Sequence, residues 1–238
     1  MASARATGPG QHPPLSDDAA QIDAHKRAVG VAAAELVQDG MRVGLGTGST
    51  VAYLLDALGE RELTDVRCTA TSPATERAAR ALGLAVADLD ELGELDVAID
   101  GADQVDPQGW LVKGGGAAHT REKIVAAAAR RFVVIVSAEK LVAEISAPVP
   151  LELVPFAVHT TLTALGQARL RDVPRSPDGG LIADYLGPVE NPRELAARLS
   201  ATPGVVEHGL FAPEMVSEIL IASATGVERR SGAKREAA

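Results

Sequence analysis

Met41-Arg42-Val43-Gly44-Leu45-Gly46-Thr47-Gly48-Ser49-Thr50 holds a short apolar strand, a glycine turn and the opening of a helix. Met41 to Leu45 is the predicted strand, and the helix runs from the turn to about Leu58. Upstream, Ser16-Asp17-Asp18 offers a capping side chain and acids at a helix start, with Asp39-Gly40 as the stop signal near Val37. Downstream, Val66 to Ala70 reads as a strand, and Ser72-Pro73 starts a helix with proline at its first position. Leu84 to Val86 and Leu95 to Ile99 are short apolar runs. Arg121 to Arg131 is expected to be helical, with Glu122 early and Arg130-Arg131 late, as the dipole prefers. Phe132 to Val136 has the continuous apolar character of a strand buried on both faces. Strands alternating with helices predict an α/β fold, a parallel sheet with helices on both sides.

The pattern changes at Pro148-Val149-Pro150. A strand (Leu151 to Val154), a helix (about Thr160 to Leu170), a turn at Pro177-Asp178-Gly179-Gly180, a strand (Leu181 to Ala183), a helix from Pro192 and an extended Val205 to Phe211 predict a second, smaller α+β domain. Residues 16–149 with 209–227 are expected to form the large domain and 150–208 the small one. Residues 1–15 and 228–238 are polar or rich in glycine and proline and read as loose tails.

The chain has 238 residues, and 23 Lys and Arg against 32 Asp and Glu leave it at −9. With 46% hydrophobic residues it can bury a core, which must be aliphatic because aromatics are only 3%. An acidic chain short of rings argues against a general nucleic-acid binder. The single cysteine, Cys68, excludes an internal disulfide framework and a multi-thiolate metal site. Residues 1–15 lack the apolar run of a signal peptide, and no stretch is apolar for long enough to span a bilayer, so a cytoplasmic protein is expected.

Backbone N–H groups of a glycine turn leading into a helix favour an anion, and Ser49 and Thr50 add hydroxyl donors. A dinucleotide fingerprint needs glycine at 49 and an acid about 20 residues on; Ser49 and Cys68-Thr69-Ala70-Thr71 offer neither. A methyltransferase loop also relies on acids for ribose hydroxyls. A phosphate site and an unliganded tight turn both remain open at this point.

A second cluster adds chemistry. Asp96-Val97-Ala98-Ile99-Asp100-Gly101-Ala102-Asp103 closes a strand with two carboxylates, where parallel sheets bind ligands. Then comes Lys113-Gly114-Gly115-Gly116-Ala117-Ala118-His119-Thr120-Arg121-Glu122-Lys123. Three consecutive glycines lose much chain entropy, which suits a backbone approaching a ligand closely. Their amides precede a helix and can face a developing oxyanion, with Lys113 as the nearby cation. Taken singly, Asp100 reads as a turn cap, Asp103 as solvated and Glu122 as a dipole-friendly surface acid. The five histidines lack metal-ligand spacing, so neither a metal nor a cofactor is expected.

Gly46-Thr47-Gly48-Ser49-Thr50, Asp100-Gly101-Ala102-Asp103, Lys113-Gly114-Gly115-Gly116, Arg121-Glu122-Lys123 and Lys140 together resemble the successive motifs of type A ribose-5-phosphate isomerases. The resemblance extends through Thr71-Ser72-Pro73-Ala74-Thr75-Glu76, Pro150-Leu151-Glu152-Leu153-Val154-Pro155, Pro203-Gly204-Val205-Val206 and Gly209-Leu210-Phe211, in order from about Ile22 to Phe211. It implies a Rossmann-like large domain with a small α+β domain, usually in homodimers or homotetramers. It implies metal-free interconversion of ribose 5-phosphate and ribulose 5-phosphate in the pentose phosphate pathway. Glu122 would be the proton-transferring base, and Asp100, Asp103 and Lys113 would handle substrate hydroxyls and the enediolate. Substrate would be held by Thr47, Gly48, Ser49, Thr50 and Lys140, with Gly101, Ala102, Gly114, Gly115 and Gly116 alongside and Lys26 as a phosphate partner. Gln104, His119 and Ser137 depart from the family's usual residues. The expected partner is a small sugar phosphate, with no nucleic acid and no membrane. A sugar-phosphate sensor would need a helix-turn-helix, for which the single helix before the first strand leaves no room.

Overall fold

The computed structural model of the chain describes residues 17–234. Its first part alternates α1 (Asp17–Ala34), β1 (Arg42–Leu45), α2 (Ser49–Gly59), β2 (Arg67–Ala70), α3 (Pro73–Ala81), β3 (Ala85–Val86), α4 (Leu89–Leu92) and β4 (Leu95–Asp100). Two short strands, β5 (Gln104–Val105) and β6 (Leu111–Val112), precede α5 (His119–Ala128) and the long β7 (Ala129–Ser137). Next come β8 (Val149–Leu153), α6 (Val158–Leu165), β9 (Ala168–Leu170), β10 (Leu181–Tyr185) and α7 (Pro192–Ser200). The chain finishes with β11 (Val205–His208), β12 (Leu210–Phe211), β13 (Glu218–Ser223) and β14 (Gly226–Ser231).

The main sheet has the order β14-β13-β7-β4-β1-β2-β3. Every neighbouring pair in it is parallel except the terminal β13–β14 hairpin. From β1 the chain winds outward through β2 and β3, then crosses back to β4 and continues the other way. Such a reversal leaves a crevice at the carboxyl ends of the two central strands. Leu45 of β1 is in register with Ile99 of β4, so Gly46 and Asp100 emerge side by side there.

Phe132 to Val136 in β7 are all buried, and their alternation explains the continuous apolar run. Val133 and Ile135 face the layer of α1 and α2, while Phe132, Val134 and Val136 face the layer of α5. Each such side chain contributes about 1.5–3 kcal/mol by leaving water. A second, antiparallel sheet, β11-β8-β10-β9, carries α6 and α7 and has its own core around Leu151, Leu153, Ala183 and Leu199. A three-stranded sheet, β12-β6-β5, joins the two.

Three expectations are corrected. The helix expected over Arg121 to Arg131 is α5, which ends at Ala128; Arg130 and Arg131 belong to β7, because pairing with β4 begins at Leu95↔Ala129. Arg130 pairs with Glu94 instead of serving the helix dipole. The helix expected over Thr160 to Leu170 stops at Leu165, where Gly166 turns the chain with φ +75°, and residues 168–170 join β10 as an edge strand. The tail expected over 228–238 is, from Glu228 to Ser231, part of β14 against β13. A ladder needs backbone groups rather than apolar side chains, and a charged edge strand such as this one also discourages edge-to-edge association. The tail expected over 1–15 lies outside the described residues, as do 235–238.

Candidate active site

The crevice is built on the turn after β1. A Cβ at Gly46 would stand 1.9 Å from Asp100 Oδ1, so only glycine lets β1 and β4 end this closely. Gly48, at φ +132°, turns the chain into α2. Asp100 Oδ1 accepts the N–H of Gly101 at 2.7 Å and that of Thr47 at 3.1 Å. Thr47 is fastened from behind by residues whose individual roles the sequence reading missed. Its hydroxyl lies 2.8 Å from that of Thr71, and the Thr75 hydroxyl donates to Gly46 O at 2.9 Å. The available signal was Ser72-Pro73: Ser72 caps α3 by accepting from the Thr75 N–H, which brings Thr75 against the loop.

Beneath the crevice lies a buried array of three charges. Lys113 Nζ stands 2.8 Å from Asp100 Oδ2 and 3.1 Å from Glu122 Oε2, and donates to Gly101 O. All three side chains are almost wholly removed from solvent, at 3–4% exposure. Lys113 is held by its own N–H bonding Gly209 O at 2.8 Å, and a Cβ at Gly209 would collide with Lys113 O. Glu122 arrives from the first turn of α5, whose ladder begins with Glu122 N–H on Ala118 O. The Phe211 ring lies 5.5 Å from Lys113 Nζ and walls that side of the cation.

One ammonium cannot fully offset two carboxylates removed from water. Burial pushes the Glu122 carboxyl up to about 8, and the Asp100 charge adds to this against the opposing pull of Lys113. Burial also raises Asp100, opposed by Lys113 and the two amides. For Lys113, burial pulls down, but its two carboxylate partners more than offset this and hold the ammonium protonated. Burial of the two carboxyls around one ammonium thus favours a proton shared by the Glu122–Asp100 pair as pH falls below about 8.

Above the array is a cleft of about 110 Å³. Lys26 of α1, Thr47, Ser49 and Thr50 of the first loop, and Lys140 form part of its wall. Gly101, Ala102 and Asp103 after β4, Lys113 with Gly114, Gly115 and Gly116, and Glu122 complete it. Of the residues expected at the site, only Asp100 and Gly48 do not line the cleft. Asp100 lies below, bound to Lys113, and Gly48 shapes the start of α2. One isolated reading is corrected and one extended: Glu122 is buried, not a surface acid, and Asp100 does cap the turn amides but is also buried and paired with Lys113. Asp103 accepts the Gly115 N–H at 2.8 Å, so one amide of the glycine run is already engaged. His119 is fully buried against Gly114 outside the cleft lining, and desolvation pushes its imidazole down to about 4, so it is neutral. A larger cavity of about 810 Å³ lies beside α5 and the second sheet, but it holds none of the expected site residues. Among the described residues, no group of three or more His, Cys, Asp and Glu side chains is arranged to hold a metal ion.

A sequence model of the family described as ribose 5-phosphate isomerase A (phosphoriboisomerase A) matches residues 67–226. The ribose-5-phosphate isomerase A of Methanosarcina acetivorans is 44% identical over 84% of this chain and 91% of its own. This chain belongs to the ribose-5-phosphate isomerase A family. The solved ribose 5-phosphate isomerase A of Methanocaldococcus jannaschii superposes with a TM-score of 0.82 at 36% identity, covering 88% of this chain and 99% of that one. A D-ribose-5-phosphate isomerase solved in complex with phospho-erythronic acid gives 0.83 at 34% identity, covering 88% and 99%. The family model begins at β2 and so includes Asp100, Lys113 and Glu122 but not Lys26 or the Gly46–Thr50 turn. In this ribose-5-phosphate isomerase A chain, the geometry of the cleft is what unites that turn with the rest of the site.

Proposed function

We propose that this isomerase interconverts D-ribose 5-phosphate and D-ribulose 5-phosphate through an enediolate, with Glu122 as the group that carries the proton. The observation that carries the reading is the buried Glu122–Lys113–Asp100 array opening into a small cleft lined with cations and hydroxyls. It serves the pentose phosphate pathway, as the family does.

Moving the carbonyl between C1 and C2 begins with breaking the C2–H bond. Glu122, deprotonated, takes that proton, and the electron pair spreads over O1, C1, C2 and O2 as an enediolate. Glu122 then returns the proton to C1 while the hydroxyl proton passes from O2 to O1, giving the ketose. A base works best with a pKa near the working pH, and about 8 satisfies this where an exposed glutamate would not. Lys113 is preorganised to stabilise the enediolate charge, with the amides of Gly114 and Gly116 as further donors. Asp100 has both oxygens engaged below the cleft, so its role is to hold Lys113 charged and in place. Asp103, on the cleft wall, is then the carboxylate that faces substrate hydroxyls and assists opening of the furanose ring. Ser49 and Thr50 at the start of α2, with Lys26 and Lys140, suit the phosphate: helix N-terminus, hydroxyls and cations converge there.

The test is conversion of ribose 5-phosphate to ribulose 5-phosphate with EDTA present, for wild type and Glu122→Gln. Turnover that survives chelation and collapses in the variant is the expected result. Absence of turnover by folded wild type, or full turnover by Glu122→Gln, overturns the reading.

A further inference from the structure

Arg171 follows β9 at the edge of the second sheet, outside the cleft. Its guanidinium is held in a two-pronged pair with Asp184 of β10, Nε to Oδ2 at 2.7 Å and Nη2 to Oδ1 at 2.6 Å. The pair is largely shielded, each side chain being 19% exposed. The remaining prong, Nη1, donates to the carbonyl oxygen of Gly114 at 3.0 Å. This charged contact links the second sheet to the glycine run.

A peptide bond is planar and trans, so the carbonyl of one residue and the N–H of the next point in opposite directions. Arg171 holds the Gly114 carbonyl on the outer side of the loop. The Gly115 N–H therefore points inward, where it donates to Asp103 Oδ2 at 2.8 Å. Gly114 sits at φ +108° and its neighbour has no side chain, so nothing intrinsic to this stretch fixes that peptide plane. The Ala117 N–H also bonds the Gly114 carbonyl, at 3.1 Å, but lies within the same turn and moves with it.

We infer that Arg171, clamped by Asp184, is a positioning residue that sets the Gly114–Gly115 peptide plane and thereby aims the Asp103 carboxylate into the cleft. The inference rests on the proposed isomerase reading, in which Asp103 faces substrate hydroxyls. It gives the second sheet a part in the reaction although none of its residues lines the cleft. Charge alone does not suffice: a lysine has no planar fork with which to hold Asp184 twice and reach Gly114 as well.

The experiment is a double-mutant cycle on ribose 5-phosphate turnover, using Arg171→Met, Arg171→Lys and Asp103→Ala in the full chain, with thermal midpoints measured alongside. A misplacement of about 1 Å can lower a rate about 100-fold, so Arg171→Met is expected to lose roughly 10- to 100-fold in kcat/KM, with Arg171→Lys not rescuing it. In the Asp103→Ala background the same change is expected to lose less than about 3-fold, because the group it aims is gone. Unchanged kcat/KM in Arg171→Met, or an equal loss with and without Asp103, overturns the inference while leaving the isomerase reading intact. An inactive folded wild type overturns the isomerase reading and this inference with it. A fall in thermal midpoint without the coupling to Asp103 marks a purely structural role and also refutes it.

Discussion

Replacing Glu122 with glutamine removes a titratable proton and leaves a side chain of the same shape. The catalytic consequence is a loss of at least about 10²–10⁴-fold in kcat, the contribution of a positioned general base. The stability consequence follows from the displaced pKa. In the unfolded chain Glu122 titrates near 4.5, whereas in the native protein burial and Asp100 hold it at about 8. Between those values the native state carries a proton that the unfolded state has released. Native stability therefore falls as pH rises through that window, by about 1.4 kcal/mol per unit. His119 and His208 are each pushed down to about 4, by burial first, so they act in the opposite sense. Their contribution grows as pH rises from about 4 to 6.5 and is common to both proteins. From pH 6.5 to 8, wild type is expected to lose about 2 kcal/mol relative to Glu122→Gln. For a chain of this size that is a gap of about 4–8 °C in Tm opening across the window. The only tryptophan, Trp110, is buried, so its fluorescence during heating or urea unfolding reads the transition. Unfolding curves that stay parallel for the two proteins from pH 6.5 to 8.5 would refute the reasoning, since Glu122 would then have no raised pKa to lose.

The same titration predicts that kcat/KM of the free wild-type enzyme rises with pH through a group near 8; a flat profile from 6 to 9 contradicts the assignment of Glu122 as base. Lys113→Met is expected to lower kcat by about 10²-fold or more with a smaller change in KM, as removal of an oxyanion donor does, and an unchanged kcat removes Lys113 from that role. Lys26→Ala and Lys140→Ala are expected to raise KM for ribose 5-phosphate about 10-fold or more and to change kcat less, because the phosphate lies away from C1 and C2; steady-state kinetics that show the reverse split refute the phosphate assignment. Gly46→Ala forces a methyl group against Asp100 and is expected either to lower Tm or to abolish turnover in a folded protein; a wild-type Tm with wild-type turnover shows that the close approach is not required.

Apart from the one-turn α4, which was not read, the order of strands and helices up to β4 was readable because its signals are local: glycine turns, a Ser-Pro cap and short apolar runs. The buried character of β7 was readable for the same reason, since an unbroken Phe132 to Val136 run has few other homes. What escaped were β9, β14 and the far end of α5. Residues 168–170 and Glu228 to Ser231 are polar enough to pass for helix or tail, and they become strands only because β10 and β13 present open edges to them. Arg130 and Arg131 look like a helix end until β4 claims them for its ladder. Backbone pairing with a distant partner leaves little trace in side-chain periodicity, and the short strands β5 and β6 went unread on that account.

Taken by itself, the sequence determined the fold class and the chemical inventory: a carboxylate pair closing a strand, a lysine before three glycines, and a glutamate in the first turn of a helix. These belong to contiguous motifs, and their residue types are visible without coordinates. Only the tertiary structure decided how the inventory divides. It placed Asp100 under the cleft and Asp103 on its wall, closed Lys113 between two carboxylates, and brought Arg171 to the back of the glycine run. The physical reason is that a charge state depends on the water that is removed and on the charges brought near. For Glu122 those charges, Asp100 at the end of β4 and Lys113 after β6, sit on separate elements that only the fold brings beside α5, where a reversing sheet leaves its central strand ends open.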